Sequence, residues 1–145
     1  MYKKIMVAVS DDEISQNALK DASFIAGACG AELCIVHAVA EPHKYDGDQN
    51  EDGGAIQREG SNLLAKARSC VDEALTVETR LLQAEGRYGL NGVSVAISDA
   101  VAEWGPDLLV VGTKGRRGLE RLVIGSVAGK LVNTVDTSIL LVRLP

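Results

Sequence analysis

Residues 107–126 read Asp-Leu-Leu-Val-Val-Gly-Thr-Lys-Gly-Arg-Arg-Gly-Leu-Glu-Arg-Leu-Val-Ile-Gly-Ser, and they hold both a strand and the densest chemical signal of the chain. The first five residues are apolar after one aspartate, as in a strand buried on both faces. The stretch 112–126 contains four glycines and four of the chain's 15 basic residues. Glycines let backbone N–H groups approach an anion, and a helix that starts at Ser126 adds its positive end. This stretch therefore predicts a phosphate-binding loop between a buried strand and a helix.

Apolar or β-branched runs alternate with helical patterns along the whole chain. The predicted strands are 5–9, 33–39, 77–82, 107–111 and 139–142. Apolar spacing predicts helices over 14–29, 56–75 and 93–104, and a fourth helix that begins near Gly125-Ser126. Such alternation is typical of a parallel sheet covered by helices on both faces. We predict an α/β fold with an open five-stranded parallel sheet in the order 3-2-1-4-5, formed by a single domain over residues 1–145.

Local signals refine this scheme. Gly30 is expected to end the first helix. The strand 33–39 is apolar apart from His37, which is typical of a central strand, whereas Glu78 and Arg80 give the strand 77–82 the mixed pattern of an edge. The segments 41–54 and 86–92 lack periodicity and are predicted to be irregular.

Composition argues against several classes of function. Aromatic residues make up 3% of the chain and the net charge is −5, which disfavours stacking on single-stranded bases and contact with a phosphate backbone. The apolar run 5–9 that follows the N-terminal Met-Tyr-Lys-Lys is too short for a signal peptide or a membrane span. We expect a cytoplasmic protein without a nucleic acid or membrane partner.

The cysteines and histidines do not form a recognisable site. Cys29, Cys34 and Cys70 are far apart in apolar patterns, so they indicate buried thiols rather than disulfides or a zinc centre. His37 and His43 are expected to be a core and a surface residue. We assign no metal ligand and no catalytic residue.

The predicted topology brings two segments to one crevice. In an open parallel sheet, ligands bind beyond the carboxyl ends of the strands where the winding direction reverses, here between strands one and four. The turn Ser10-Asp11-Asp12 and the loop at Gly112 would meet there and offer carboxylates to ribose hydroxyls and amides to phosphates. Asp11, Asp12 and Glu13 also fit the acidic first turn of a helix.

Two common phosphate motifs are absent from the chain. A P-loop needs glycine at position 124 and serine or threonine at position 131, where the chain has Ile124 and Leu131. A dinucleotide fingerprint would follow the first strand, but that turn contains no glycine.

The spacing of Gly112, Gly115, Gly125 and Ser126 resembles the ATP-binding signature of the universal stress proteins, and the resemblance extends over the whole chain. It implies that these four residues hold the phosphates. It further implies that Lys114 and Val127 line the loop and that Val9, Ala38 and Val111 lie near the adenine. Members that bind ATP carry an aspartate directly after the first strand, where this chain has Ser10. Either Ser10 or Asp11 would then form the hydrogen bond to the ribose.

The same resemblance implies a regulatory module in stress response that binds ATP, with or without Mg²⁺, and forms a homodimer through its last strand. Its regulatory protein partner is not identified by the sequence. The alternatives are a slow ATPase or self-phosphorylating enzyme, with Thr113 or Ser126 as acceptor, and a nucleotide-free dimeric interaction module. A flavodoxin-like redox protein is disfavoured because the predicted phosphate loop has no aromatic residue to stack on a flavin.

Overall fold

Strands and helices alternate along the chain, as predicted. The computed structural model describes residues 1–40, 49–84, 90–113 and 126–143. In these ranges the elements are β1 (Lys4–Ala8), α1 (Glu13–Cys29), β2 (Glu32–Ala40), α2 (Gln49–Ser69), β3 (Val77–Ala84), α3 (Leu90–Trp104), β4 (Leu108–Gly112), α4 (Ser126–Thr134) and β5 (Ser138–Val142).

The five strands form one parallel sheet in the order β3-β2-β1-β4-β5. β1 is the central strand, and its Val7 pairs with Ile35 of β2 and Val110 of β4. The predicted fold class and strand order are confirmed. β3 and β5 are the two edges, while β2 is an interior strand.

Alternation of side chains along the strands divides the core into two apolar clusters. Val7 and Ile35 face α1 and α2 on one side of the sheet. Met6, Val36 and Leu109 face α3 and α4 on the other side. Because successive residues of a strand point to opposite faces, continuous apolar runs are needed to fill both clusters.

The ends of α1 follow from local chemistry. Asp12 is the N-cap, with extended backbone angles, and its carboxylate accepts a hydrogen bond from the N–H of Ser15. Of the three acidic residues predicted for the first turn, only Glu13 lies in it. Gly30 caps the other end with φ of 67°, a left-handed conformation that glycine adopts without a steric penalty.

The predicted bounds of α2 were wrong at both ends. Residues 49–54, assigned to an irregular segment, are helical, because helix propensity is only a weak guide to where a helix begins. Residues 70–75, assigned to the helix, form turns instead. The Asp72 carboxylate accepts a hydrogen bond from the N–H of Ala74, and such local bonds compete with a helix.

Two smaller expectations also changed. α3 begins at Leu90, so residues 90–92 are helical, while residues 41–48 and 86–89 lie outside the described ranges. Asp107 precedes β4 rather than beginning it, and its carboxylate accepts hydrogen bonds from the N–H groups of Lys3 and Lys4. This carboxylate joins the starts of β1 and β4 at the amino-terminal end of the strands, which is the end opposite the predicted site.

The three thiols have different environments. Cys34 is buried, as predicted, and Cys29 is half-buried. Cys70 is exposed, which contradicts the expectation, because it follows the last residue of α2 and lies in the turn there. Desolvation, followed by the charge of Glu78, raises the pKa of the Cys34 thiol to about 12.

Candidate functional site

A crevice of about 410 Å³ opens at the carboxyl end of the sheet, between β1 and β4. This volume is within the range of small-ligand pockets. The described residues that line it are Ala8, Val9, Ser10, Asp12, Ile14, Ser15, His37, Ala38, Val93, Ile97, Val111, Gly112, Thr113, Ser126, Val127 and Ala128. The crevice is therefore at the predicted position, where the winding direction of the sheet reverses.

Most of the predicted site residues that the structure describes line this crevice. They are Val9, Ser10, Ala38, Val111, Gly112, Ser126 and Val127. Asp11 does not line it and borders a separate groove instead. Lys114, Gly115 and Gly125 lie outside the described residues.

The turn after β1 is held by a ring of hydrogen bonds. The N–H of Ser10 donates to Ser15 Oγ at 2.8 Å, and Ser10 Oγ donates to Asp12 Oδ2 at 3.0 Å. The two serine hydroxyl oxygens are 3.0 Å apart. Because the Ser10 proton points to Asp12, Ser15 is the donor between the hydroxyls. Ser10 Oγ therefore donates its proton and accepts one hydrogen bond within the protein, which leaves one lone pair for a ligand.

Val9 is held by β2 through both of its backbone groups. Its N–H donates to the Val36 carbonyl at 2.9 Å, and its carbonyl lies 2.8 Å from His37 Nδ1. A carbonyl oxygen only accepts, so Nδ1 carries the proton and donates. These two bonds set the direction in which the chain leaves β1 and enters the turn at Ser10.

Gly112 allows β4 and α1 to meet at the floor of the crevice. A β-carbon at position 112 would overlap Cγ2 of Ile14, which lies in the first turn of α1. The absence of a side chain at Gly112 is thus a packing requirement, in addition to any approach of a ligand to the backbone.

The first turn of α4 forms the wall of the crevice on the side of β4. Ser126, Val127 and Ala128 line the crevice, so the N-terminus of a nine-residue helix is directed to it. The unpaired N–H groups and the dipole of a helix N-terminus favour an anion. Buried Thr113 closes this end of the sheet, since its N–H and Oγ1 both donate to the Val142 carbonyl, at 2.8 and 3.3 Å.

The groove that Asp11 borders lies between α1 and α2 and has a volume of about 560 Å³. Its walls carry Leu19 and Lys20 from α1 and Leu63 and Lys66 from α2. Val9, Ser10 and Ser15 border both cavities, so the hydrogen-bonded serine pair separates the groove from the crevice.

Sequence reasoning gave Ser15 and His37 no role at the crevice, although both line it. It placed the turn 10–12 there but expected Ser10 or Asp11, rather than Asp12, to contact the ribose. An aspartate directly before a helical pattern is an N-cap signal, and it could have placed Asp12 at the start of the helix. His37 was expected to be a core residue, and it is half-buried with its ring at the crevice. No local pattern distinguishes this position from an ordinary buried histidine.

Two further searches cover only the described parts of the chain. No group of three histidine, cysteine, aspartate or glutamate side chains there is arranged to hold a metal ion. None of the helices in those parts has the length and apolar character needed to cross a bilayer.

Comparison with known proteins identifies the family of the chain. The sequence profile of the Universal stress protein family matches residues 1–143. Universal stress protein YxiE of Bacillus subtilis is 28% identical over 158 residues, which cover 99% of this chain and 100% of YxiE.

Solved structures resemble the chain over nearly its whole length. A universal stress protein solved in complex with cAMP has a TM-score of 0.65 and 25% identity, covering 97% of this chain and 96% of its own. The universal stress protein of Archaeoglobus fulgidus, solved in complex with dAMP, has a TM-score of 0.64 and 20% identity, and the match covers 97% of this chain and 98% of that one. From the match over residues 1–143 and these relatives, the chain belongs to the universal stress protein family.

Proposed function

We propose that the protein binds an adenine nucleotide, ATP in particular, in the crevice between β1 and β4 and acts as a nucleotide-dependent regulatory module in stress response. The nucleotide would place its phosphates at the N-terminus of α4 and the glycine-rich loop. Its base would lie against the apolar side chains of Val9, Ala38 and Val111. Gly112, Lys114, Gly115, Gly125, Ser126 and Val127 are the residues proposed to surround the phosphates.

The observation that carries this proposal is the meeting of a helix N-terminus and an apolar pocket in one cavity. Ser126 and Val127 begin α4 at one end of the crevice, whereas Ala38 belongs to β2 on the other side of β1. An anionic group fits the helix end and an aromatic base fits the apolar end. The family relative solved with cAMP shows that an adenine nucleotide is a ligand of at least one such protein.

The first experiment is to denature freshly purified protein, identify any released nucleotide by chromatography and mass, and titrate ATP into stripped protein by calorimetry. Gly115→Val tests the loop, and Ala38→Phe fills the base end of the crevice. Val95→Phe is the matched control, since Val95 is exposed on α3 and does not line the crevice. Repeating the titration in EDTA tests whether Mg²⁺ accompanies the phosphates.

We expect ATP binding by the unmodified protein and the control, and a loss of affinity of at least about tenfold in Gly115→Val and in Ala38→Phe. Absence of released nucleotide together with absence of binding heat in the unmodified protein would contradict the proposal. The protein would then be better explained as a nucleotide-free interaction module.

The regulatory part of the proposal connects the crevice to β5. Thr113 lines the crevice and donates two hydrogen bonds to Val142, the last residue of β5. If two copies pair through this edge strand, a ligand at Thr113 lies next to the subunit interface. Sedimentation with and without ATP measures the coupling between nucleotide binding and dimerisation. We expect the dimerisation constant to differ between the two conditions.

A further inference from the structure

The nucleotide site proposed above contains one carboxylate among its described lining residues, and it belongs to Asp12. Asp11 borders the groove between α1 and α2. The main-chain path after Val9 decides which of the two carboxylates lies at the crevice. The turn directs Asp12 to the N-cap position of α1, where its side chain borders the crevice. The acidic side chain available to a ligand is therefore two residues beyond Ser10.

Asp12 is held in place by two hydrogen bonds that leave acceptor capacity on each oxygen. Oδ1 accepts the N–H of Ser15 at 2.8 Å, and Oδ2 accepts the hydroxyl of Ser10 at 3.0 Å. A carboxylate oxygen has two lone pairs, so both oxygens can accept one more donor. The side chain is exposed, which leaves it reachable from the crevice.

The position of Asp12 within the crevice indicates which part of a nucleotide it meets. β1 lies between β2, which supplies Ala38, and β4, beyond which α4 begins. The turn after β1 is thus between the base end and the phosphate end. A carboxylate repels phosphate and needs hydrogen-bond donors, and the central donors of a nucleotide are its ribose hydroxyls.

We propose that Asp12 is the ribose-recognition residue of this protein and that it determines preference for nucleotides with free 2′- and 3′-hydroxyls. Ser10 supports Asp12 by fixing the orientation of its carboxylate. This inference rests on the proposed nucleotide site and identifies a residue within it.

The test compares ATP with 2′,3′-dideoxyATP in calorimetric titrations of four proteins: the unmodified chain, Asp12→Asn, Asp11→Asn and Asp21→Asn. Asparagine caps helices about as well as aspartate, so Asp12→Asn keeps the start of α1 while it removes the charge and replaces one acceptor oxygen with an amide donor. Asp21→Asn removes the same charge from an exposed position of α1 that borders neither cavity. Thermal melting verifies that each variant is folded.

We expect the unmodified chain and the Asp21→Asn control to prefer ATP over the dideoxy analogue by about tenfold or more, because hydrogen bonds to charged groups are the stronger ones. Asp12→Asn should bind ATP about tenfold more weakly and the analogue almost unchanged, so that the preference collapses. Asp11→Asn should retain the preference.

Three outcomes would overturn the inference while leaving nucleotide binding intact. They are an unchanged preference in Asp12→Asn, an equal loss of both ligands in that variant, and collapse of the preference in Asp11→Asn alone. Failure of the unmodified chain to bind either ligand would instead contradict the proposed function itself, so the two failures are distinguishable.

Discussion

The α-carbon of Gly112, at the end of β4, lies so close to Ile14 in α1 that a β-carbon there would overlap the Ile14 side chain. This contact sets how near the start of α1 can approach the central strands, and so it sets one dimension of the crevice. The close approach leads to a direct test by mutation.

Gly112→Ala should lower the free energy of unfolding by about 1–3 kcal/mol, the usual cost of overpacking. Ile14→Ala removes the obstructing side chain, so the double variant should be destabilised by less than the sum of the two single variants. Urea unfolding of the unmodified chain, the two single variants and the double variant measures the coupling between the two residues. Strict additivity would show that Ile14 and Gly112 are not in the contact described.

His37 should stabilise the turn after β1 through its bond to the Val9 carbonyl. His37→Ala leaves that carbonyl without its donor, and we expect a loss of about 1–2 kcal/mol in the free energy of unfolding. His37→Asn is the matched control, because the asparagine amide can donate from nearly the same position as Nδ1. Equal destabilisation by both variants would attribute the effect to the ring's packing rather than to the hydrogen bond.

Dimerisation through β5 can be tested on its outward backbone groups. The Val142 carbonyl accepts a hydrogen bond from the N–H of Thr113, which directly follows β4. In the parallel ladder the backbone groups of Ser138, Leu140 and Val142 therefore face β4, and Ile139 and Leu141 direct their N–H groups outward. Ile139→Pro removes one outward donor while sparing the bonds to β4. Sedimentation should show a dimer for Ile139→Val and a monomer for Ile139→Pro. A dimer in both proteins would place the interface elsewhere.

Asp107 should contribute stability that depends on pH. Desolvation raises the pKa of this carboxyl, but hydrogen bonds from the amides of Lys3, Lys4 and Asp107 itself outweigh that effect, and the net pKa is lowered. A lowered pKa in the folded state stabilises the fold above the ordinary aspartate pKa of about 4, and the contribution disappears as the pH falls through the folded-state value.

Asp107→Asn should therefore be less stable than the unmodified chain at pH 7, with a difference that narrows below about pH 4. Urea midpoints measured across this range test the expectation. A difference that is constant with pH would show that the carboxylate's charge is not responsible.

The thiols should react in the order of their exposure. Cys70 is exposed, whereas Cys34 is buried with a pKa raised to about 12, so little thiolate forms at neutral pH. Labelling with a chromogenic disulfide should modify Cys70 rapidly and Cys34 only in denaturant. Cys70→Ser should remove the rapid phase, and its persistence in that variant would contradict the assigned environments.

Much of the fold is predictable because its signals are local. A strand buried on both faces must be apolar along its whole length, as in 108–111, and a helix must end where a left-handed residue such as Gly30 follows it. Alternation of such segments leaves few topologies besides a parallel sheet with helices on both faces. The bounds of α2 were not predictable in this way, since propensity is a weak guide to where a helix begins and the local hydrogen bond of Asp72 competes with the helix at its end.

The sequence by itself therefore determined the fold class, the strand order and the convergence of the first and fourth strands on one crevice. The tertiary structure decided which side chains face that crevice. Asp11 and Asp12 are chemically identical neighbours, and only the backbone path set by Val9, His37 and Ser15 sends one to the crevice and the other to a separate groove. The bond between His37 and Val9 joins residues 28 positions apart in the chain, so a local pattern does not encode the path that it sets.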